Sequence, residues 1–520
     1  MAKFRYNNSM KKKLSRVVFR RRVFVIFILL AQIIFLVFLL AGTGIYIRYA
    51  NWILNLISIG VCIHVLNRHT KAGYKITWIF LIMLFPIFGG ILYIFFHSQS
   101  NPRKLTRIIH KNKQASEASF YLCGNRLPDL LKAYPEFKPQ ARYLQDYAGF
   151  PVYTNTQTIY FDSGEAYFAR VLEELEKARH YIFLEFFILR EGVMLNSILA
   201  ILERKAREGL DVRLIYDDLG CFMSLPANYK SLLAEKGIKS FVFNPFRPIL
   251  SSLQNNRDHR KIIAIDGKVA FTGGLNLADE YINAVERYGH WKDAAIMLEG
   301  EGAWSLTLIF LQMWNIQPGE YASYESFYPW KESPCEIASD GFVQPYADSP
   351  IDAENVGEHV YIQIINKAKK YVYINTPYLI VDDNLLSALT LAAKSGVDVK
   401  IITPHRWDKW IVATTSRSYY HQLIAAGVKL YEYTAGFNHG KTFVSDDSVA
   451  TVGTTNLDFR SLYLHFECGV LVYQSNVVQA VKEDFLRTIP ISHEITPREC
   501  IHNNFQQLML DVLRIFAPLM

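Results

Sequence analysis

Three apolar stretches without a charged residue stand out in the first hundred positions of the chain. Residues 23–47 contain VFVIFILLAQIIFLVFLL, and residues 76–96 read ITWIFLIMLFPIFGGILYIFF. Because a helix needs about 20 apolar residues to cross a bilayer, each of the two predicts a transmembrane helix. Residues 52–66 are shorter and include Asn55 and His64, so this stretch is a weaker candidate that either spans or lies in the interface. The pattern predicts a transmembrane region over 23–97.

Beyond residue 101 the pattern changes to short β runs that alternate with amphipathic helices, and it occurs twice. ARHYIFLEFFI (178–188), a helix over 195–208 and GLDVRLIYD (209–217) come first. Their counterparts are AKKYVYINTPYLI (368–380), a helix over 384–395 and GVDVKIITP (396–404). The spacing of about 190 residues is too long for a solenoid, whose units have about 20 to 50 residues. We therefore expect an α/β fold made of two similar domains that arose by duplication.

The turn-forming and apolar positions suggest where these domains begin and end. Residues 318–343 are rich in Pro, Ser and Tyr and form the natural linker between the two repeats. The predicted organisation is a connecting segment over 98–150, a first domain over 151–317 and a second domain over 344–520.

Charge is concentrated at the front of the chain. Residues 1–22 contain nine Lys or Arg and no acid, and removing these nine from the 56 bases leaves 47 against 48 acids in the rest. The nearly neutral body disfavours a nucleic-acid-binding protein, which usually carries clustered positive charge. Six scattered cysteines without C-x-x-C spacing indicate neither a zinc site nor a redox motif.

The same charges leave the side of the membrane open. The basic tail favours a cytoplasmic N-terminus, whereas the bases between Arg103 and Lys113 favour the cytoplasm for the segment that follows the last apolar stretch. Three full crossings cannot satisfy both preferences.

Each repeat carries one copy of the motif H-x-K-x-x-x-x-D. The first copy is HRKIIAID and the second is HGKTFVSD; a glycine follows each histidine by 14 residues, and an asparagine comes three residues later. The residues of this set are His259, Lys261, Asp266, Gly273 and Asn276 in the first repeat, and His439, Lys441, Asp446, Gly453 and Asn456 in the second. Core packing does not demand the same polar residues twice, so the paired motifs indicate a functional site.

This set of residues suits phosphoryl transfer. Residues i and i+2 of a strand face the same way, so each histidine projects together with its lysine, and two repeats that face each other bring both pairs into one pocket. One histidine can attack phosphorus while the other donates a proton to the leaving alcohol and later deprotonates the incoming one. The lysines and asparagines can bind the nonbridging oxygens, so we expect no metal. Each aspartate either orients an imidazole or pairs with a lysine.

The paired motifs resemble those of the phospholipase D superfamily, and the wider pattern resembles its bacterial cardiolipin synthases. The similar stretches are RDHRKIIAIDGKVAFTGGLNLADEYI, HWKDAAIMLEG, TPYLIVDD, GFNHGKTFVSDDSVATVGTTNLDFRSLYLHFE, the hydrophobic N-terminal region and the closing LRIFAPLM. The chain departs from the family in carrying an additional apolar span ahead of the usual hydrophobic pair.

The resemblance implies an enzyme that condenses two phosphatidylglycerol molecules into cardiolipin and glycerol through a phosphatidyl-histidine intermediate. It implies His259, Lys261, Asp266, His439, Lys441 and Asp446 as catalytic residues. Glu185, Asp293 and Glu467 become candidate partners for the histidines or lysines. We expect no cofactor, membrane lipid as the partner, no nucleic acid, and a multi-pass protein of the bacterial cell membrane.

Other functions fit the same motifs. A hydrolytic phospholipase D uses water as the acceptor, and another phosphatidyltransferase, such as a phosphatidylserine-forming enzyme, uses a different alcohol. A nuclease is disfavoured by the neutral body, and an inactive membrane scaffold is disfavoured because all six motif residues are intact.

Overall fold

The computed structural model of the chain describes residues 45–85, 89–90, 92–94, 102–246, 252–352 and 354–520. Its α-helices are α1 (Ile45–Leu66), α2 (Ala72–Leu84), α3 (Pro102–Phe120), α4 (Leu127–Ala133), α5 (Lys138–Arg142), α6 (Gly164–Lys177), α7 (Val193–Arg207), α8 (Asp218–Cys221), α9 (Tyr229–Glu235), α10 (Glu301–Trp314), α11 (Val356–Lys367), α12 (Asp383–Lys394), α13 (Trp410–Arg417), α14 (Tyr420–Ala425), α15 (Phe459–Tyr463), α16 (Asn476–Thr488) and α17 (Asn504–Phe516). Its strands are β1 (Thr156–Phe161), β2 (Tyr181–Phe186), β3 (Asp211–Asp217), β4 (Lys239–Phe243), β5 (Arg257–Asp258), β6 (Ile262–Ile265), β7 (Val269–Gly273), β8 (His290–Lys292), β9 (Ala295–Gly300), β10 (Phe342–Asp348), β11 (Tyr371–Asn375), β12 (Asp398–Pro404), β13 (Lys429–Tyr433), β14 (Gly436–Asn438), β15 (Thr442–Ser445), β16 (Val449–Gly453), β17 (His465–Tyr473) and β18 (Ser492–Glu494).

The N-terminal apolar stretches fall partly within these residues. The predicted span 23–47 lies outside the described residues except for its last three positions. The stretch 52–66 lies in α1. The stretch 76–96 is described in part, and its first nine residues belong to α2, which ends at Leu84. Val65, Trp78, Ile82 and Tyr93 form a small buried cluster here. Across the described ranges, the structure contains no helix that is both long enough and apolar enough to cross a membrane.

The first repeat forms a seven-stranded mixed sheet in the order β1-β9-β7-β6-β2-β3-β4. Strand β2 runs parallel to β3 and antiparallel to β6, and every residue of β2 is buried. This burial explains its nearly continuous apolar sequence, because a strand covered on both faces loses the alternation of polar and apolar positions. Helix α7 covers the sheet and matches the predicted helix over 195–208 to within two residues at each end.

The second repeat reproduces this order strand for strand. Its path runs β10-β17-β16-β15-β11-β12-β13 and ends on the additional strand β18. Strand β11, in the place of β2, is again parallel to one neighbour, β12, and antiparallel to the other, β15. The two sheets confirm the predicted duplicated α/β fold; the exact domain limits stay a prediction.

Helix α10 joins the two repeats. Apart from one half-buried glutamine, Gln312, its residues are buried, in keeping with the mainly apolar sequence GAWSLTLIFLQMW. It contacts strands of the first sheet and also β10, the first strand of the second sheet. The connection therefore holds the two repeats together through a shared core.

Two short strand pairs cross from one repeat to the other. Strand β5 of the first repeat pairs in parallel with the start of β17, and β14 of the second repeat pairs in parallel with β8. Both β5 and β14 come immediately before the histidine of their motif. The crossing is reciprocal and fixes each motif against the opposite repeat.

Candidate active site

The motif histidines and lysines lie where the crossed strands meet the two sheets. His259 and Lys261 connect β5 to β6, and His439 and Lys441 connect β14 to β15. All four side chains are buried. Each lysine Nζ donates a hydrogen bond to the carbonyl of its own histidine, at 2.5 Å in both repeats. The two halves of the site therefore have the same local geometry.

Backbone hydrogen bonds across the repeats hold the histidines in place. The His259 N–H donates to the carbonyl of Phe466 at 2.9 Å, and the His439 N–H donates to the carbonyl of Lys292 at 2.7 Å. Each histidine is thus bonded to the residue that immediately precedes the other repeat's carboxylate, Glu467 or Asp293.

Each imidazole is bound by a carboxylate from the opposite repeat. His259 Nδ1 lies 2.9 Å from Glu467 Oε1, and His439 Nδ1 lies 2.7 Å from Asp293 Oδ2. Because a carboxylate accepts this bond, Nδ1 carries the proton and the lone pair is left on Nε2. The arrangement fixes both the ring orientation and the tautomer that a nucleophile or base requires.

Burial and positive neighbours disfavour the protonated imidazoles. The pKa of His259 is held well below its usual value by burial and by the charges of Lys261 and Lys441. Burial and Lys441 lower the pKa of His439 to about 4, although Asp293 opposes the shift. The positive charge of each repeat's lysine thus acts on the histidine of the other repeat, so the four groups lie close together.

The lysines are less basic than usual for the same reason. Burial lowers the pKa of Lys261 to about 8 and that of Lys441 to about 7. A bound phosphodiester anion would favour the charged form of all four groups. The pocket is consequently suited to gaining protons when its substrate enters.

The two motif aspartates lie away from this pocket, which corrects the expectation that they orient an imidazole or pair with a lysine. Asp266 accepts hydrogen bonds from three consecutive backbone N–H groups, those of residues 179–181. Asp446 does the same for residues 369–371. Both residues have positive φ, 52° and 53°. They organise the turn that leads into β2 and β11 respectively.

Glu185 also has a different environment from the expected contact with a histidine or lysine. Its Oε1 lies 3.7 Å from Arg260 Nη1, and its side chain is fully buried. Burial and the adjacent Asp258 carboxylate raise the pKa of Glu185 well above its usual value. Glu185, Asp258 and Arg260 therefore form a buried group of ionisable side chains.

The asparagines and glycines of the motifs are built into the fold. Asn276 accepts from the Ile188 N–H and donates to the Tyr281 hydroxyl, so its amide is occupied. Asn456 is buried, and its Oδ1 has no hydrogen-bond partner within the described part of the chain. Substrate binding by either asparagine stays a prediction.

The motif glycines stand where neighbouring strands approach closely. A Cβ at Gly273 would lie 2.4 Å from the Ala294 carbonyl oxygen, and one at Gly453 would lie 2.6 Å from the Cys468 carbonyl oxygen. These contacts explain the glycines by packing, and their predicted contact with substrate stays untested.

Sequence reasoning missed two aromatic residues that touch the paired carboxylates. Trp291 Nε1 donates to Asp293 Oδ2 at 3.2 Å, and His465 Nδ1 lies 3.7 Å from Glu467 Oε1. Each precedes its carboxylate by two residues, in the sequences WKD and HFE. The i, i+2 spacing on a strand was the available signal, because it puts both side chains on one face.

Comparisons with known proteins agree with this architecture. Residues 171–297 and 361–489 match the family described as "Cardiolipin synthase, PLD-like domain", and residues 53–96 match "Phospholipase D-nuclease N-terminal". A cardiolipin synthase of Halalkalibacterium halodurans is 34% identical over 94% of this chain and 99% of its own length. A cardiolipin synthase of Alkalihalophilus pseudofirmus is 36% identical over 90% of this chain and 92% of its own length.

Among solved structures, the phosphatidylserine synthase of Haemophilus influenzae superposes with a TM-score of 0.55 at 15% sequence identity. The match covers 73% of this chain and 97% of that protein. At this identity the likeness concerns the fold.

Proposed function

Because the chain belongs to the cardiolipin synthase family with phospholipase D-like domains, we propose that it transfers a phosphatidyl group from one phosphatidylglycerol to another. The products are cardiolipin and glycerol. The observation that carries the proposal is the reciprocal pairing of His259 with Glu467 and of His439 with Asp293. It supplies two oriented imidazoles in a single lysine-containing pocket.

The reaction proceeds in two displacements at phosphorus. In the first, Nε2 of one histidine forms a bond to phosphorus as the bond to the glycerol oxygen breaks, and the other imidazolium protonates that oxygen. In the second, a hydroxyl of another phosphatidylglycerol attacks phosphorus and gives its proton to the histidine that acted as the acid. The bond between phosphorus and the nucleophilic histidine breaks, which releases that histidine. Protons and electron pairs balance over the cycle.

The remaining residues stabilise the charge on the transferring group. Lys261 and Lys441 bind the nonbridging oxygens, and their ammonium groups are already held at the pocket by bonds to the histidine carbonyls. Glu467 and Asp293 stabilise the imidazolium that forms on either side. The incoming phosphate anion raises the pKa of the acid histidine, so this imidazole takes up a proton from solvent as the substrate binds.

We further propose that the N-terminal region 23–97 attaches the enzyme to the membrane in which its substrate resides. The uncharged run 23–47 exceeds the length a spanning helix needs. Attachment raises the effective concentration of lipid at the site. A protease-accessibility measurement on a C-terminal tag in sealed membrane vesicles distinguishes the two sides, which the charges of the sequence leave open.

The acceptor is tested by supplying phosphatidylglycerol as the sole lipid to the purified full-length chain. Cardiolipin and glycerol in equal amounts are expected. Phosphatidic acid without cardiolipin would instead identify a hydrolytic phospholipase D, and a product formed only when serine or another alcohol is added would identify a different transferase.

A further inference from the structure

Three side chains with metal-ligating atoms meet on one side of the pocket. They are His259, His465 and Glu467, and one ligating atom from each lies within 4.8 Å of the other two. The Glu467 Oε1 atom is 2.9 Å from His259 Nδ1 and 3.7 Å from His465 Nδ1. The cluster thus combines a predicted catalytic histidine with a histidine that the reaction does not use.

His465 reaches this cluster because of the strand pairing. It opens β17, and Glu467 follows it on the same face two residues later. Pairing of His465 with Arg257 in β5 brings its ring to 5.4 Å from that of His259, measured between centroids. His465 Nδ1 is buried and has no hydrogen-bond partner among the described residues. An unpartnered ring nitrogen is therefore directed at a carboxylate and a second imidazole.

The donor set has the chemistry of a zinc site. Two imidazoles and one carboxylate are the protein ligands of several zinc enzymes, with a fourth position left open. Tetrahedral coordination with bonds of about 2.0 to 2.2 Å places ligand atoms roughly 3.4 Å apart. The two separations from Glu467 Oε1, 2.9 and 3.7 Å, fall on either side of that value, and all three ligating atoms lie within 4.8 Å of one another. Small side-chain shifts would suffice to close the site around an ion.

In the metal-free chain the Nδ1 proton of His259 is donated to Glu467 in a hydrogen bond. For zinc to bind at Nδ1, this proton moves to Nε2 of the same ring.

We propose that His259, His465 and Glu467 bind one Zn²⁺ ion per chain. The ion takes the Nδ1 lone pair of His259 and binds the carboxylate that orients this ring, while the ring proton moves from Nδ1 to Nε2. Nε2 then has no lone pair with which to attack phosphorus or accept a proton. Zinc binding therefore inhibits the phosphatidyl transfer, an effect that rests on the proposed function, whereas the binding itself does not.

The other half of the pocket lacks this capacity. Trp291 occupies the position equivalent to His465, two residues before Asp293, and its indole N–H is only a donor. His439 and Asp293 then offer two ligands rather than three. Among the described residues, the structure accordingly predicts one zinc site, at the His259 side. Lys261 and Lys441 oppose the approach of a cation, so the ion is held reversibly and a chelator removes it.

Binding is tested with Co²⁺ as a spectroscopic probe for zinc. The full-length chain is purified in detergent without a histidine tag, stripped with a chelator and titrated. We expect the visible absorption of tetrahedral cobalt, saturating at one ion per chain and displaced by zinc. His465→Gln should weaken cobalt binding at least about tenfold, as losses of metal-site residues commonly do.

His493→Gln is the matched control, because His493 forms an exposed pair with Glu499 at 2.7 Å. It should bind cobalt like the unaltered chain. Glu467→Gln provides a second ligand variant if His465→Gln fails to fold. The proposal is overturned if the unaltered chain binds no cobalt, or if a folded ligand variant binds it as tightly as the control.

Inhibition is measured as the fraction of each variant's own activity that remains when zinc is added. Zinc should inhibit the unaltered chain and His493→Gln equally, with recovery after chelation, and His465→Gln should require at least about tenfold more zinc. Equal sensitivity of His465→Gln overturns inhibition at this site. A chain that binds cobalt but makes no cardiolipin refutes the proposed function and leaves the metal site standing.

Discussion

Glu467 of the second repeat binds the imidazole of His259 in the first, with Oε1 2.9 Å from Nδ1. The reciprocal contact, from Asp293 to His439, has a distance of 2.7 Å. Neither half therefore contains a complete pair of histidine and carboxylate. The crossed strands β5–β17 and β14–β8 create these contacts, and they explain why the duplication yields one pocket instead of two.

Glu467→Gln and Asp293→Asn should each lower kcat by about 10² to 10⁴, with a smaller effect on KM. The amide leaves the shape of the contact intact but no longer stabilises an imidazolium or fixes its tautomer. Steady-state kinetics on phosphatidylglycerol provide the measurement. Glu499→Gln, which alters an exposed histidine partner, should leave kcat unchanged. Nearly normal kcat in either pocket variant would show that the crossed pairs do not support catalysis.

The lysines should set the basic limit of activity. Their pKa values of about 8 for Lys261 and about 7 for Lys441 mean that both lose positive charge as the pH rises through 7 to 8. Since kcat/KM reports the free enzyme, its value should fall over this interval. Lys441→Arg keeps the charge and should move the fall to higher pH, whatever its absolute rate. The profile is measured with a short-chain, water-soluble phosphatidylglycerol, and an unshifted basic limb in the variant would contradict this assignment.

Asp446→Asn should reduce stability while sparing the chemistry. The substitution removes the charge that accepts three backbone hydrogen bonds at 2.7 to 3.0 Å, at a cost of about 1 to 3 kcal/mol. Asparagine tolerates the positive φ, so the backbone itself is not strained. Denaturant unfolding measures the change. The neighbouring Asp447→Asn, an exposed partner of Lys482, should cost less than about 1 kcal/mol. A large loss of kcat in correctly folded Asp446→Asn would return this aspartate to the catalytic set.

The repeat was predictable because the two halves carry matching apolar runs. Burial on both faces gives β2 and β11 their continuous apolar sequences, and the spacing of about 190 residues separates two full domains. The crossed pairing was not predictable. It depends on two- and three-residue strands such as Arg257–Asp258, which are too short to leave a periodic signal.

The role of the motif aspartates shows how spacing alone can mislead. Seven residues separate His259 from Asp266, and the four-residue strand β6 lies between them. A strand of that length extends roughly 13 Å, so His259 and Asp266 lie beyond opposite ends of β6. The fixed spacing therefore grouped residues with different roles into one motif: the histidine lies in the pocket, and the aspartate stabilises a turn.

His465 escaped notice for the opposite reason. It belongs to no repeated motif, since its counterpart Trp291 has a different side chain. Only the strand pairing places its ring 5.4 Å from that of His259. A residue that is present in only one half of a duplicated site can be recognised only from the structure.

The most direct test of a single composite site is the turnover of His259→Asn and His439→Asn on phosphatidylglycerol, each measured as a purified full-length chain. Asparagine keeps polarity but can neither attack phosphorus nor shuttle the proton. Each variant should lose at least about 10³ in kcat, because both histidines act in both displacements. Cardiolipin formation within about tenfold of the unaltered enzyme in either variant would contradict the shared site.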